Sequence, residues 1–252
     1  MNFQTMREYP RVGAIVEVRM TSSRLPSKHL LESNGLPMIS RLIRRIKSIE
    51  PIDLVILATT VNSSDDVFVK IANDEGAFVF RGSEEDVMGR VLQSAIYYSV
   101  DVICEITGDC PLVDVNLTQE AVQAFLDSDV DYLNNGVTGL PDGLGCQVFS
   151  TKSLEISYGL TSRALDFEHV TAHIIRNSSL FTSSYIEVPN QLKWPSLSLS
   201  LDERMDYYLL NEVINALEVE NFYFDTEMVI EFLKGRPDLI DINKNIYRRG
   251  YE

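Results

Sequence analysis

Three groups of residues combine side chains able to do chemistry with a spacing that lets them act together. The first is "EVRMTSSRLPSKHL", residues 17 to 30, where Arg19, Arg24 and Lys28 stand among Thr21, Ser22 and Ser23. A Ser/Thr-rich turn after a strand can offer backbone N–H groups, hydroxyls and cations to a phosphate chain at once. Arginine adds a planar two-pronged fork and lysine a point charge. An ordinary exposed loop has the same composition, and composition alone leaves both readings open. The second group is "ITGDCPLVD", residues 106 to 114, where Asp109 follows a strand-like run and Pro111 stiffens the turn. A carboxylate there can hold Mg2+ against a triphosphate, because Mg2+ takes one or two protein carboxylates and completes its shell with water and phosphate oxygens. The alternative is a turn aspartate bonded to its own backbone. The third is Asp202, ending "SLSLSLD", which reads either as a second metal carboxylate or as a helix N-cap. His169 and His173 stand four apart, the spacing of a metal pair, but no third ligand is convincingly placed, so they read as polar or core contacts. Trp194, the only tryptophan, reads as core.

These residues need elements to hold them. "VGAIVEV" (12–18), "DLVILATT" (53–60), "AFVF" (77–80) and "VDVICEIT" (100–107) are apolar runs that suit buried strands. Between them, "PMISRLIRRIKSIE", "SSDDVFVKIANDEG" (63–76) and "SEEDVMGRVLQSAIYYS" carry helical spacing. Arg41, Arg44, Arg45 and Lys47 in the first of these read as a solvated helix face. Strands alternating with helices imply a mostly parallel sheet covered on both faces, with ligands beyond the carboxyl ends of the strands. Later the rhythm loosens. "DYLNN" and "CQVFS" have strand character, and "GVTGLPDGLG" reads as a loop. Helices are expected at 151–159, 166–177, 203–218 and 225–234, and strands at 181–188 and 196–201. No repeat or linker divides the chain, so residues 1–252 are expected to form a single domain.

Composition excludes whole classes. With 37 acidic against 22 basic residues, the net charge is −15, which repels nucleic acid in general. The charge is uneven: the first fifty residues hold nine Lys/Arg against four acids, which keeps a small, locally held polyanion in play. Three cysteines without CxxC spacing suggest neither a disulfide framework nor a zinc site. The N-terminal region has no apolar stretch long enough for a signal peptide or membrane span, so the expected location is cytoplasmic, without a membrane partner.

Six separated segments, "RMTSSRLPSK", "FRGSEEDVMGR", "ITGDCPLVD", "LPDGL", "EHVTAHI" and "LSLD", together resemble the cytidylyltransferase family typified by the spore coat polysaccharide protein SpsF, relatives of CMP-Kdo synthetase. They run from residue 19 to residue 202 in the family's order. The resemblance implies an α/β three-layer nucleotidyltransferase fold, Rossmann-like and GT-A-like, with a mostly parallel central sheet. It implies CTP as donor, Mg2+ as cofactor, a sugar or sugar-acid acceptor, and a place in surface polysaccharide or glycan synthesis. By it, Arg19, Ser22, Arg24 and Lys28 fall on the triphosphate-binding loop, with Arg19, Arg24 and Lys28 as the catalytic cations. Gly82, Ser83 and Arg90 match the segment near the nucleotide, Asp109 and Asp202 the two metal carboxylates, and Asp142, Glu168 and His169 the acceptor pocket. A homodimer is the default assembly for such enzymes.

The chain departs from the family's usual pattern at four positions. Where relatives read RMGSTRLPGK, it carries Thr21 and Ser27 in place of both glycines, and a β-carbon disfavours positive φ. Gly145 follows "PDGL", where Asp is common, and Phe167 precedes "EHVT", where Arg is common. Two other readings stay open. One is a nucleotide-sugar glycosyltransferase or another nucleotidyltransferase, against which the lack of a DxD motif after a strand counts. The other is a catalytically silent nucleotide-binding partner, suggested by those four departures.

Overall fold

A computed structural model describes residues 9–137, 139–219 and 222–246. The first half follows the expected alternation. β1 (Val12–Glu17) is followed by a short hairpin of β2 (Glu32–Ser33) and β3 (Leu36–Pro37), then α1 (Met38–Lys47) and β4 (Leu54–Thr60). Next come α2 (Asp66–Glu75), β5 (Phe78–Gly82), α3 (Val87–Tyr97), β6 (Val102–Glu105) and α4 (Val115–Leu126). The second half contains β7 (Tyr132–Asn134), β8 (Gln147–Ser150), α5 (Thr151–Leu160), α6 (Ala164–Glu168), α7 (Ala172–Arg176) and β9 (Ser183–Tyr185). It closes with α8 (Arg204–Leu217), α9 (Thr226–Lys234) and α10 (Pro237–Asn243).

Seven strands form one sheet in the order β5-β4-β1-β6-β8-β7-β9, and only β8 runs against the rest. Side chains alternate across the sheet with period two. Val12, Ala14 and Val16 therefore face a core with Ile39 and Leu42 of α1, Phe68 of α2 and Val122 of α4. Ile15 and Ile103 face the other way, against Met88 and Val91 of α3, Leu154 of α5 and Ile174 of α7. The sheet is thus covered on both faces, the expected layering. A third apolar cluster joins α8 and α9 to Leu112, Leu140 and the 197–201 segment.

Five features differ from the sequence reading. α4 occupies a stretch left unassigned. Its signals are Asp114, whose side chain accepts from Leu117 N (2.8 Å), and buried Leu117, Ala121 and Phe125 at helical spacing. The helix expected over 166–177 is broken into α6 and α7, because Val170 is drawn into the core and Thr171 Oγ1 donates to Gln147 Oε1 (2.6 Å) across the break. His169 and His173 therefore do not share a helix, and His173 Nδ1 pairs with Ser157 Oγ (2.9 Å). The alternating "SLSLSL" run joins no sheet. Its leucines are buried, but it is pinned by isolated bonds between Leu199 N and Asp142 O (2.8 Å) and between Leu201 N and Asp109 O (2.7 Å). At 181–188 only β9 is a strand.

The basic face of α1 is the fifth difference. Arg41 and Arg45 are buried, 1% and 2% exposed. Arg41 pairs with Glu218 and donates to Ser33 O (2.9 Å), while Arg45 donates to Val113 O (2.9 Å) and Phe224 O (2.9 Å). These arginines tie the C-terminal helices to the sheet domain's edge. Part of the positive charge of α1 is therefore structural. Among the described residues no helix is long and apolar enough to cross a membrane.

Candidate active site

The carboxyl ends of β1 and β6 open onto a cavity of about 440 Å³. It is bounded by the turn after β1, the turn after β6, the start of α3, the α6–α7 break and the 200–202 segment. Arg19, Ser22, Arg24, Lys28, Arg90, Asp109, Asp142, Glu168, His169 and Asp202 all line it. Sequence positions almost two hundred residues apart thus meet at one site. Gly82 and Ser83 do not line it. They sit behind Arg90, which donates from Nε to Ala58 O (3.2 Å) and from Nη1 to Ser83 O.

The turn after β1 is held at several points. Val18 N donates to Ala58 O (3.2 Å), Met20 N to Asp65 Oδ1 (2.9 Å) and Ser27 N to Met20 O (3.1 Å). Thr21 Oγ1 and Asn62 Nδ2 both donate to Glu84, near Arg19. The two residues that replace family glycines differ. Thr21 is absent from the positive-φ residues, so its β-carbon is tolerated, whereas Ser27 adopts φ 60°, ψ 19° and caps a single 3-10 turn over Lys28–Leu30. Left-handed backbone costs an L-residue roughly 1–2 kcal/mol that glycine avoids. Ser27→Gly is accordingly expected to raise stability by about 1 kcal/mol, about 2–4 °C in Tm for a chain of this size. A calorimetric Tm that stays level or drops contradicts the strain assignment.

That 3-10 turn aims Lys28 into the site. Its Nζ donates to Asp109 Oδ2 (2.9 Å) and to Asp202 Oδ1 (3.0 Å), and Arg24 Nη2 meets the same Asp202 oxygen at 2.7 Å. Asp202 is not the cap of α8. Glu203 is, through a capping box with Asp206, which leaves the Asp202 carboxylate to face the cations. Burial pulls the Lys28 ammonium down, but Asp109 and Asp202 outweigh it and hold Lys28 above the ordinary lysine value. Burial likewise raises the Asp109 carboxyl, and Lys28 with a hydrogen bond from Thr107 overcomes this and keeps it well below the usual range. Two carboxylates therefore converge on a single cation position. Among the described residues no cluster of three or more His, Cys, Asp or Glu side chains could hold a metal by protein ligands alone. Two carboxylates suit an oxygen-loving divalent ion that keeps water and phosphate in its shell.

Beside Lys28, His29 is buried, its Nδ1 3.0 Å from Gly108 O and its ring edge-on to Phe68. Burial lowers it to about 4, so it is neutral and structural. Gly108 is required where the two turns meet, because a Cβ there would lie 2.5 Å from Val18 Cγ1 and 2.6 Å from Glu17 O. On the opposite wall Asp142 accepts from Ser198 Oγ (2.9 Å) and Ser200 Oγ (3.0 Å). The other two departures are packing solutions. A Cβ at Gly145 would lie 2.8 Å from Asn135 Oδ1, and Phe167 packs edge-on to Tyr158 at 5.6 Å.

Sequence reasoning passed over the cavity floor. Glu17, Glu105, Gln147 and Thr171 line it as well. The available signal was a glutamate ending each of two otherwise apolar strands, "VGAIVE" and "VICE". The two carboxyls face each other out of water, and burial pushes Glu17 up to about 7 and holds Glu105 well above the ordinary carboxyl range. A carboxyl raised above its unfolded value is protonated in the folded state and ionised in the unfolded one across the intervening window. The folded state then binds more protons, so stability is greatest below the unfolded value of 4.5 and is lost as pH rises through about 7. Calorimetry between about pH 5 and about pH 8 is expected to show a loss on the order of 3 kcal/mol. The loss should vanish in Glu17→Gln/Glu105→Gln, and an unchanged slope there would assign it elsewhere.

With the geometry in hand, comparison with known proteins is direct. The cytidylyltransferase family model matches residues 13–234. The uncharacterized protein MJ1063 of Methanocaldococcus jannaschii is 33% identical over 96% of this chain and 98% of its own. The spore coat polysaccharide biosynthesis protein SpsF of Bacillus subtilis is 31% identical over 81% of this chain and 84% of its own. Among solved structures, a cytidylyltransferase from Leptospira borgpetersenii superposes with TM-score 0.87 at 28% identity, covering 95% of this chain and all of that one. CMP:2-keto-3-deoxy-manno-octonic acid synthetase complexed with CTP shares the fold, with TM-score 0.64 at 13% identity over 82% of this chain and 99% of its own. The family match spans the strands, both turns and the Asp202 segment that build the cavity, and on that basis the chain belongs to the cytidylyltransferase family and is a CTP-dependent nucleotidyltransferase.

Proposed function

We propose that the protein transfers CMP from CTP to a sugar or sugar-acid acceptor, with release of pyrophosphate, in the synthesis of a surface polysaccharide or glycan. The observation that carries this reading is the convergence of Arg24, Lys28, Asp109 and Asp202 at one end of a single cavity, beyond the carboxyl ends of β1 and β6. Two relatives supply the context: SpsF by its place in polysaccharide biosynthesis, and the octonic acid synthetase by its complex with CTP.

In this reading an acceptor oxygen attacks the α-phosphorus of CTP in line. The new P–O bond forms as the bond to the β-phosphate oxygen breaks, pyrophosphate leaves, and the hydroxyl proton passes to solvent. Arg19, Ser22, Arg24 and Lys28 hold the β- and γ-phosphates, and their charges offset the negative charge that grows on the leaving group. Asp109 and Asp202 are the residues that would hold Mg2+. When bound, the ion would supply Lewis-acid stabilisation of the phosphate oxygens. Arg90, fixed by Ala58 O and Ser83 O, borders the nucleotide, and Asp142, Glu168 and His169 border the acceptor. Positioning and electrostatics suffice, and no covalent nucleophile is required. Ser27 adopts the left-handed backbone that glycine takes readily, which favours a competent loop over a silent one.

The test is a nucleotide panel in a thermal-shift assay with Mg2+. CTP at about 100 times its Kd is expected to stabilise by about 2.7 kcal/mol. ATP, GTP, UTP and nucleotide sugars should give smaller shifts at equal concentration. A larger shift from a nucleotide sugar, or from another triphosphate, overturns the proposal.

A further inference from the structure

The turn after β1 has a buried anchor outside the cavity. Met20 is tied through both of its backbone groups. Its N–H donates to Asp65 Oδ1 (2.9 Å), 45 residues on at the start of α2, and its carbonyl accepts from Ser27 N (3.1 Å), which closes the turn just before Lys28. Beyond Met20 the pattern changes. Among the described residues the N–H groups of Thr21, Ser22, Ser23 and Arg24 have no acceptor, and Ser22, Ser23 and Arg24 line the cavity. Successive N–H groups without acceptors of their own make an anion cradle once the backbone is held in a fixed curve. What holds that curve at its first residue is the Met20–Asp65 bond.

Asp65 is an unusual choice for a residue that only packs. It stands at the N-cap position of α2, yet its side chain caps nothing there. Its carboxylate turns instead toward the end of β4 and accepts from Thr60 Oγ1 (2.5 Å), Thr59 Oγ1 (3.2 Å) and Thr60 N (3.3 Å) as well as from Met20 N. Asp65 is 1% exposed, and no lysine or arginine among the described residues pairs with it. Burial raises its carboxyl, and the bonds from Thr60, Met20 and Thr59 overcome this and hold it below the usual range. An ionised acceptor kept from water by neutral donors grips the Met20 N–H more firmly than a neutral one would. The other tie on the turn is weaker. Thr21 Oγ1 donates to Glu84 at the exposed rim, where Arg19 also lies, and exposed pairs of this kind contribute little.

We infer that Asp65, which does not itself line the cavity, is a positioning residue for the β- and γ-phosphates of CTP: by fixing the Met20 peptide it sets the curve of the 21–24 amides and the aim of Lys28. The inference rests on the triphosphate role given to the 17–30 turn in the proposed function.

The test compares CTP with CMP, which lacks the two phosphates in question. Both are titrated calorimetrically, with Mg2+ and at fixed ionic strength, into the full-length wild-type protein and three variants. The wild-type protein is expected to bind CTP more than about tenfold more tightly than CMP. In Asp65→Ala that ratio should fall at least about fivefold, with CMP affinity kept within about twofold, because the turn loses one hydrogen bond to a charged group. Asp65→Asn preserves size but has a single acceptor oxygen, which cannot serve both Met20 N and the Thr60 side. Its ratio should fall at least about twofold, and it carries the test if Asp65→Ala does not fold. Asp114→Ala removes another buried carboxylate, the cap of α4, and should lower Tm with the ratio unchanged, which separates lost stability from lost turn geometry. An unchanged ratio in a folded Asp65 variant, an equal fall in Asp114→Ala, or parallel loss of CTP and CMP each overturn the inference. A wild-type ratio near one removes the triphosphate role of the turn and the inference with it, whereas a large wild-type ratio that survives in the Asp65 variants strikes the inference alone.

Discussion

Asp109→Asn is expected to lower the rate of CTP-dependent pyrophosphate release by about 10² to 10³ at saturating substrate, while the protein remains folded. Asparagine keeps the size of the side chain and one carbonyl oxygen, so Lys28 Nζ retains an acceptor at that position as well as Asp202 Oδ1. What is lost is a full negative charge at one of the two carboxylates facing the cation position. The loss should fall on kcat, because charge stabilisation of this kind matters most as the leaving group develops its own charge. Asp114, five residues on in the same turn, is the structural contrast. It accepts from Leu117 N (2.8 Å), Thr226 N (2.8 Å) and Thr226 Oγ1, so it caps α4 and ties that helix to α9. Asp114→Ala should therefore lower Tm and leave kcat of the folded fraction intact. If Asp109→Asn behaves like Asp114→Ala, the carboxylate's proposed role in the reaction is wrong.

Lys28→Met carries the second large effect, and it is one of stability. Lys28 is 8% exposed at its side chain and faces carboxylates 24% and 12% exposed. Removing the ammonium leaves Asp109 without its cation and Asp202 with Arg24 alone. Breaking a largely buried pair on one side costs about 3–5 kcal/mol, chiefly because the remaining charge stays desolvated. The variant should therefore melt well below the wild-type protein in EDTA. If Asp109 and Asp202 are metal ligands, millimolar Mg2+ should raise the Tm of Lys28→Met by more than it raises that of the wild-type protein, since a second cation then relieves the same two carboxylates. Equal Mg2+ shifts in both proteins would remove these aspartates from the metal assignment.

Much of the site was legible in linear form because its parts are turn residues at strand ends. Arg19, Arg24, Lys28 and Asp109 each follow an apolar run that reads as a strand, and α/β sheets place such residues at one edge. Asp202 was legible as a carboxylate at a junction, but whether it capped α8 or faced the cavity depended on Glu203 taking the cap. The basic residues of α1 were misjudged for a general reason. A charged helix face looks solvated until other chain segments supply acceptors, and those of Arg41 and Arg45 lie at Ser33, Val113, Phe222, Phe224 and Glu218. The break between α6 and α7 was hidden likewise, because it depends on Thr171 reaching Gln147 and not on any local breaker.

By itself the sequence determined the strand and helix alternation, the location of the basic turn after the first strand and the carboxylate at position 109. These follow from local periodicity and from side-chain chemistry that needs no distant partner. Tertiary structure alone decided that Lys28 bridges Asp109 and Asp202, that the N-terminal arginines are partly internal struts, and that Glu17 and Glu105 share one sheet face beneath the cavity. Each of those facts is a contact between residues dozens to more than a hundred positions apart. Its energetics depend on burial and on which opposite charge comes within a few ångströms, and linear spacing encodes neither.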